Sequence, residues 1–114
     1  MPDCMFCKIA AHEMSSDIVY EDEALVAFRD INPQAPMHVL VIPRTHIDTL
    51  NDLTAEHDAL VGRMYRTAQR IAADEGYAES GYRTVVNCGA GAGQSVFHVH
   101  LHMLAGRRFG WPPG

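Results

Sequence analysis

Three histidines alternate with apolar residues in the segment FHVHLHML, which spans residues 97–104. Side chains of a β-strand point alternately to its two faces, so this spacing predicts a strand with His98, His100 and His102 on one face. The opposite face then carries the apolar residues Phe97, Val99, Leu101 and Met103. We expect this apolar face to meet a core and the histidine face to line a cleft. Histidine titrates close to neutral pH, so clustered imidazoles can supply a neutral nucleophile and a proton donor together. His100 has a histidine on each side and is the predicted nucleophile.

A glycine-rich segment, NCGAGAGQS, leads into the histidines. Gly89, Gly91 and Gly93 allow backbone N–H groups to turn inward and bind an anion, and Ser95 adds a hydroxyl. No Gly-Lys-Ser/Thr follows and no helix opens after the glycines, so neither a Walker P-loop nor a dinucleotide fingerprint is indicated. The combination predicts a phosphoryl group held beside an attacking imidazole. Two alternatives stay open: a flexible hairpin turn, and a catalytic metal site in which His-x-His presents two ligands.

The chain has three cysteines, an odd number that argues against a disulfide framework. Cys4 and Cys7 form a Cys-x-x-Cys pair, which has the spacing of half a tetrahedral zinc site whose other ligands would be histidines. A thioredoxin-type redox pair or two unrelated cysteines are the alternatives, although no βαβ pattern surrounds the motif. Cys88 is predicted to be buried packing.

Two further polar residues stand at the ends of predicted strands. Asp30 lies where the chain enters the proline loop NPQAP, and its carboxylate could accept hydrogen bonds from the two hydroxyls of a ribose. Taken alone, Asp30 is also an ordinary turn residue. His38 begins an apolar strand and is either a core histidine or a support for the histidine cluster.

The surrounding elements predict an α+β fold, with a five-stranded antiparallel sheet, one long helix and a short N-terminal helix. The short helix lies in CMFCKIAAHE and places Phe6 and Ile9 on one side. The long helix is capped by Thr54 and ends at Gly76. The strands are predicted in DIVYED, ALVAFRDI, HVLVIP, YRTVVN and the histidine segment, the last two being joined by a short glycine-rich loop. We expect one domain over residues 1–114.

Charge and hydropathy exclude several classes of protein. The formal net charge of −5 argues against a general nucleic-acid binder, which carries a basic stripe. No segment approaches the run of about 20 apolar residues that a membrane helix needs. The N-terminus, MPDCMFCKIA, lacks the basic-then-apolar pattern of a signal peptide. We therefore expect a cytoplasmic protein without nucleic-acid or membrane partners.

The histidine segment resembles the signature of the histidine triad (HIT) family, His-φ-His-φ-His-φ-φ, in which φ is hydrophobic. The likeness extends to YEDEALVAFRDINPQAPMHVLVIPRTHI, YRTVVNCGAGAGQSVFHVHLH and the terminal GWPPG. The WPPG ending is similar to the Hint-type branch rather than to the Fhit-type or galactose-1-phosphate uridylyltransferase branches. This resemblance implies the HIT fold in a homodimer whose two sheets join into one, with two nucleotide sites.

The same resemblance implies a role for each site residue. His100 would attack the α-phosphorus of a nucleoside phosphoramidate and form a nucleotidyl-histidine that water resolves. His102 and His38 would orient and polarise that imidazole, while His98 would lie near the leaving group and Ser95 would bond the phosphate or the leaving amine. The remaining implied contacts are Gly93, Val96 and Asn87 for phosphate and ribose, Asp30 for the ribose, a purine pocket of Phe6, Ile9, Phe28, Ile31 and Leu40, and Trp111 reaching the leaving group from the partner subunit.

Relatives that begin with a similar Cys-x-x-Cys bind zinc, and the resemblance implies a structural zinc held by Cys4, Cys7, His46 and His98. No catalytic metal is expected. The two roles implied for His98 compete, because an imidazole that ligates zinc cannot serve freely as a proton donor.

The predicted function is hydrolysis of purine nucleoside 5′-phosphoramidates, in which the P–N bond between AMP and an amine is cleaved. A dinucleoside polyphosphate hydrolase or a nucleotidyl transferase would use the same His100 but would need a pocket for a second nucleotide. A nucleotide-binding adaptor with little turnover and a zinc-binding structural module are alternatives of a different class.

Overall fold

The centre of the molecule is a five-stranded antiparallel sheet in the order β1-β2-β3-β5-β4. The structure, a computed structural model, describes residues 3–114. Its strands are β1 (Ile18–Glu21), β2 (Leu25–Arg29), β3 (Met37–Pro43), β4 (Tyr82–Val85) and β5 (Leu101–Ala105). This confirms the predicted α+β fold, with a helix packed against each face of the sheet.

One face of the sheet is covered by the short helix α1 (Met5–Ala10). The Cys4 sulfur caps its first turn by accepting a hydrogen bond from the Cys7 N–H at 3.4 Å. Phe6 and Ile9 lie on the buried side of the helix, as their spacing predicts. They pack against the residues of β2 and β3 that face α1, namely Val26, Phe28, Leu40 and Ile42.

The opposite face is covered by the long helix α2 (Asp58–Asp74). Its buried residues recur at helical spacing and pack on the alternate side chains of the sheet, among them Leu25, Val39, Val41, Leu101 and Met103. The helix begins at Asp58 rather than just after Thr54, because a short 3₁₀ helix, Ala55–His57, comes first and the Thr54 N–H donates to its His57 ring. Gly76 follows the helix with a φ of +88°, so the predicted stop is confirmed. Within residues 3–114, no helix is long and apolar enough to cross a membrane.

Strand alternation decides which side chains face α1. In β3, Val39 and Val41 pack toward α2, so His38 and Leu40 face α1. The same alternation in β5 places His102 on the α1 face, where Leu40 is its direct partner across the strand pair. Histidines from two adjacent strands therefore come together on this face.

The predicted histidine strand is too long at its N-terminal end. β5 begins at Leu101, so His98 and His100 precede the strand, with His98 at a bend of the chain. The neighbouring strand β3 ends at Pro43, which has no N–H, and the Pro43 carbonyl bonds to the His98 ring instead of to the backbone. The Val99 N–H donates to the Ile47 carbonyl at 2.7 Å. The backbone ladder therefore stops where these two groups turn to other partners.

Side-chain alternation nevertheless continues through residues 98–100. Val99 is buried with the α2-facing core, while the rings of His98 and His100 contact Phe6 of α1 at centroid distances of 5.9 and 5.1 Å. Phe97 departs from the prediction because it lies beyond the edge of the core and is 46% exposed. His98 departs as well, since it is completely buried and does not line an open cleft.

The connection between β4 and β5 is longer than predicted, although the two strands pair antiparallel as expected. β4 ends at Val85, and residues 86–100 form an excursion that contains the 3₁₀ helix Ala90–Ala92. Gly89 and Gly93 flank this helix with φ values of +88° and +92°, which glycine adopts without steric penalty. Residues 86–96 of this excursion are called here the glycine loop, which returns to the sheet where Val96 packs against the α1-facing core.

Candidate active site and metal-binding cluster

A cleft of about 240 Å³ opens on the α1 face of the sheet. The predicted site residues that line it are Phe6, Ile9, Phe28, Asp30, Ile31, Leu40, Ser95, Val96, His100 and His102. No sequence pattern singled out its other lining residues, Met5, Met14, Ser15, Ser16 and Arg29. The lining therefore combines apolar side chains with two imidazoles and a hydroxyl.

Five of the residues predicted to act in catalysis or nucleotide binding do not line this cleft. His38 and His98 lie in the buried layer beside it. Asn87 and Gly93 belong to the glycine loop, and the Gly93 N–H donates to the Ala90 carbonyl at 3.0 Å, so it is not available to an anion. Trp111 lies in the C-terminal segment and is 85% exposed.

His38 and His102 form a hydrogen-bonded pair whose tautomers follow from their partners. The Gln34 backbone N–H donates to His38 Nδ1 at 3.0 Å, so the proton of neutral His38 is on Nε2. That Nε2–H donates to His102 Nδ1 at 2.9 Å, with the Asp30 carboxylate 3.5 Å away. The proton of neutral His102 is then on its own Nε2. The pair thus holds an N–H donor at the end of His102 that lines the cleft.

His100 has the opposite arrangement, with its lone pair at the free end. Its Nδ1 lies 2.8 Å from the His98 carbonyl, which can only accept, so Nδ1 carries the proton. In the neutral ring, Nε2 then carries the lone pair. The ring is buried, lines the cleft, and packs edge-on against Phe6 and His102. This geometry leaves a single nucleophilic nitrogen pointing away from its backbone anchor.

Burial keeps the His38–His102 pair uncharged. It lowers the pKa of His102 to about 4, and the neighbouring His100 and His38 rings add to that effect. Burial also lowers the pKa of His38, against a smaller opposing influence of the Asp30 carboxylate. Both rings are neutral at physiological pH, as the hydrogen-bond chain requires.

Four side chains from three parts of the chain converge beside the cleft: Cys4, Cys7, His46 and His98, called here the thiol cluster. Their ligand atoms all lie within 4.8 Å of one another. His98 Nδ1 is 3.3 Å from the Cys4 sulfur and 3.6 Å from the Cys7 sulfur, and His46 Nδ1 is 3.3 Å from the Cys7 sulfur. Sulfur and nitrogen ligands of one tetrahedral zinc ion stand about 3.6 Å apart, given Zn–S and Zn–N bonds of about 2.3 and 2.1 Å.

The outer nitrogens of both histidines in the thiol cluster are held by acceptors. His98 Nε2–H donates to the Pro43 carbonyl at 2.7 Å, and His46 Nε2–H donates to the Asp48 carboxylate. Each Nδ1 therefore presents a lone pair to the two sulfurs. An oxygen acceptor behind each ligating imidazole is the usual support of a zinc site.

The donor set fits a structural zinc ion. Two sulfurs and two imidazole nitrogens close a tetrahedron and leave no open coordination position. Burial raises the pKa of the Cys7 thiol, and the Cys4 thiol beside it adds to the rise, so a thiolate there needs a neighbouring cation. His98 Nε2 faces the Pro43 carbonyl and Nδ1 faces the two sulfurs, so the position of this ring fits the ligand role better than the proton-donor role.

A second group of possible metal ligands consists of Asp30, His38 and His102. Metal binding through His38 Nε2 would move the His38 proton to Nδ1, where it would face the Gln34 N–H. Two donors would then oppose each other in a buried position, at a cost of about 1–3 kcal/mol. The hydrogen bonding therefore disfavours a catalytic metal on the histidine pair.

The supporting residues of both clusters were missed by the sequence analysis. Gln34 and Pro43 act through backbone groups, which leave no trace in residue type. Asp48 stands two residues after His46, and a carboxylate near a suspected histidine ligand was the one pattern that could have identified it.

A larger groove of about 530 Å³ lies between β1 and α2, away from both clusters. Its polar groups are largely paired with one another: Arg63 bonds Asp22 and Glu23, and Arg70 stacks on Tyr20. It contains no imidazole or thiol, so its size does not indicate a reaction centre.

Fold and site together define a class: a small α+β protein in which a layer of imidazoles from adjacent strands lines a half-apolar cleft. A family model described as the HIT domain matches residues 11–109. The chain belongs to the HIT family, which confirms the resemblance predicted from the histidine segment.

Relatives cover almost the full length of the chain. The purine nucleoside phosphoramidase of Escherichia coli K12 is 50% identical over 108 residues, which are 95% of this chain and 91% of that protein. An uncharacterized HIT-like protein of Synechococcus elongatus is 54% identical over 112 residues, 98% of this chain and 97% of that protein. The crystal structure of a HIT family hydrolase from Legionella pneumophila has a TM-score of 0.97 at 48% identity, covering 98% of this chain and 100% of that one.

Proposed function

We propose that this protein is a hydrolase that cleaves the P–N bond of purine nucleoside 5′-phosphoramidates through a nucleotidyl-histidine intermediate. The observation that carries the proposal is the state of His100: its Nδ1–H is bonded to the His98 carbonyl, so Nε2 is a free lone pair at the cleft. A neutral imidazole nitrogen is an effective nucleophile toward phosphorus. The likeness to a purine nucleoside phosphoramidase over nearly the whole chain supports the choice of substrate class.

The cleft has the polarity that a nucleoside monophosphate needs. Phe6, Phe28 and Leu40 provide an apolar surface for the base. The Asp30 carboxylate, 3.5 Å from His38 Nε2, also lines the cleft and can accept ribose hydroxyls. The His102 Nε2–H then faces the phosphate and stabilises charge that develops on its oxygens.

In the first step His100 Nε2 forms a bond to the α-phosphorus, and the P–N bond to the amine breaks. The bonding pair leaves with the amine nitrogen, which takes a proton that Ser95 relays from water. Ser95 suits this position because it lines both the cleft and a second groove of about 450 Å³ running past Asp48 and Phe97. Water then attacks the phosphorus, the bond to His100 breaks, AMP is released and the proton of the attacking water passes to solvent.

The thiol cluster contributes structure rather than a chemical step. When zinc is bound it supplies a rigid cross-link between α1, the segment after β3 and His98. The residues themselves then hold the His98 carbonyl in place against His100 Nδ1.

The decisive experiment measures release of a fluorescent amine from an adenosine 5′-phosphoramidate. We expect turnover by the wild-type protein and a loss of at least about 10³-fold in His100→Ala, as is typical when a nucleophile is removed. His12→Asn is the matched control, because His12 is an exposed histidine paired with Glu21 outside the cleft. Asn also tolerates its φ of +60°.

A diadenosine polyphosphate run in parallel separates the alternatives. Faster cleavage of that substrate than of the phosphoramidate would favour a dinucleoside polyphosphate hydrolase. Binding of AMP without turnover of either substrate would favour a nucleotide-binding adaptor. Equal turnover by His100→Ala and wild type would remove His100 as the nucleophile.

We further propose a homodimer in which β4 strands of two copies pair. β4 and β1 are the edge strands of the sheet. The register of β1 shifts between Ile18 and Tyr20, and such an irregularity disfavours pairing of that edge with another strand. β4 carries no such irregularity in its pairing with β5. Light scattering should give the mass of two chains, and the mass of one chain would contradict this assembly.

A further inference from the structure

Gln94 is a buried polar residue that has no role in the proposed reaction steps. The residue is only 4% exposed, and its side-chain amide makes three hydrogen bonds. Its Oε1 accepts from the Gly89 N–H at 2.8 Å, and its Nε2 donates to the carbonyls of Asp48 at 2.8 Å and Val96 at 3.1 Å. One amide thus joins Gly89 and Val96 of the glycine loop to the segment that follows His46.

These bonds close the glycine loop at its base. The Gly89 carbonyl also accepts from the backbone N–H of Gln94 at 3.1 Å, so both polar groups of Gly89 are bonded to one residue. Gly93, with its positive φ, reverses the chain just before Gln94. Ser95 and Val96 then emerge at the cleft, and within residues 3–114 their backbone N–H groups find no acceptor.

We propose that Gln94 is a positioning residue that pre-forms the phosphate site by holding the Ser95 and Val96 N–H groups toward the cleft. The inference rests on the proposed function, in which the part of the cleft beside Ser95 and Val96 holds a phosphate. Without Gln94, these two unpaired N–H groups would turn to solvent. Phosphate binding would then have to order the loop, and the entropic cost of that ordering would lower the affinity. Gln94 reaches neither the nucleotide nor the reacting atoms, since it does not line the cleft.

Removing the amide should weaken phosphate binding and leave base binding unchanged. We expect Gln94→Met, of similar length but without hydrogen bonds, to bind AMP at least about tenfold more weakly by calorimetry, while adenosine affinity changes less than about twofold. Gln94→Glu should show the same selective loss of AMP affinity. The second oxygen of the glutamate would face the Asp48 and Val96 carbonyls and would have no proton to donate. Gln69→Met is the matched control, since Gln69 is exposed on α2 and its side chain accepts a hydrogen bond from the exposed Arg66.

The result that would overturn the proposal is an equal loss for AMP and adenosine, which is what general loosening of the fold produces. Unchanged AMP affinity in Gln94→Met would overturn it as well. If wild type itself binds no AMP, the proposed function fails instead, so the two failures are distinguishable. Should the variants not fold, amide hydrogen exchange in the wild-type protein decides: Gly89 should be protected without nucleotide, and rapid exchange there would contradict the closed loop.

Discussion

The two imidazole clusters of this protein use the same side chain in opposite ways. In the His38–His102 pair one ring donates to the other, and the chain of bonds ends in an N–H at the cleft. In the thiol cluster the outer nitrogens of His46 and His98 donate to fixed oxygens, and the inner lone pairs converge on two sulfurs. The first arrangement offers a proton donor to an anion and the second offers lone pairs to a cation.

His100 lies between the two clusters and shows what separates them. It is spaced two residues from His98 and two from His102. Its Nδ1 is bonded to the backbone of His98, whose ring belongs to the thiol cluster, and its ring packs on His102. The acceptor or donor behind each ring, and not the spacing of the histidines, decides whether an imidazole attacks, donates or ligates.

The largest expected effect comes from removing both sulfurs of the thiol cluster. Cys4→Ser/Cys7→Ser should reduce zinc from about one ion per chain to none, because two of four ligands are lost. The unfolding free energy should fall by about 4 kcal/mol when free zinc is about a thousandfold above its dissociation constant. Metal analysis and urea unfolding check both outcomes. Cys88→Ser is the control and should retain zinc, since Cys88 lies outside the cluster; undiminished zinc in the double variant would disprove the assignment.

A smaller effect is expected from the carboxylate behind His46. Asp48→Ala leaves all four ligands in place but removes the acceptor of the His46 Nε2–H. Loss of such a supporting group lowers metal affinity about 10–100-fold. Competition with a chelator measures the change, with Asp74→Ala at the exposed end of α2 as the matched control. If affinity stayed within twofold of wild type, the Asp48 bond would have no part in ligation.

The smallest effect is the pH dependence of stability that the His38–His102 pair contributes. The pKa of His102 is about 4 in the fold, below its usual value of 6.5, so the unfolded chain takes up a proton first as pH falls. Stability from this group is therefore complete above pH 6.5 and declines between pH 6.5 and 4. Between pH 7 and 5 the loss should be about 1–2 kcal/mol, after allowance for solvent screening of a partly exposed ring.

Urea unfolding of wild type and His102→Gln at both pH values isolates this contribution, because acid release of zinc from the thiol cluster affects both proteins alike. The wild-type protein should lose more stability than the variant. Equal losses would mean that His102 titrates normally and that the neutral pair is not enforced by burial.

Much of the architecture follows from local sequence, and so do most of the cleft residues. Phe6 and Ile9 share a helix face, and because side chains of a strand alternate between its faces, His38 and Leu40 of β3 lie on the same side. The residue at which β5 begins could not be predicted in this way. Its ladder stops at Leu101 because the Pro43 carbonyl and the Val99 N–H find partners far away in the sequence.

The role of Gln94 in the glycine loop could not be predicted from local sequence either. Glycines in sequence predict a turn that can hold an anion, but they do not show that a neighbouring amide closes it. The three groups that Gln94 bonds come from Gly89, Asp48 and Val96, so its role is visible only after the segments are brought together.

The sequence by itself determined the family, the sheet and the common face of the three histidines, because side-chain alternation is a local property of extended chain. Only the tertiary structure decided that His98 joins the thiol cluster while His100 faces the cleft. That choice depends on atoms of Pro43, Cys4 and Cys7, which reach His98 from distant parts of the chain. Residue type supplies an imidazole, and the partners of its two nitrogens assign its chemistry.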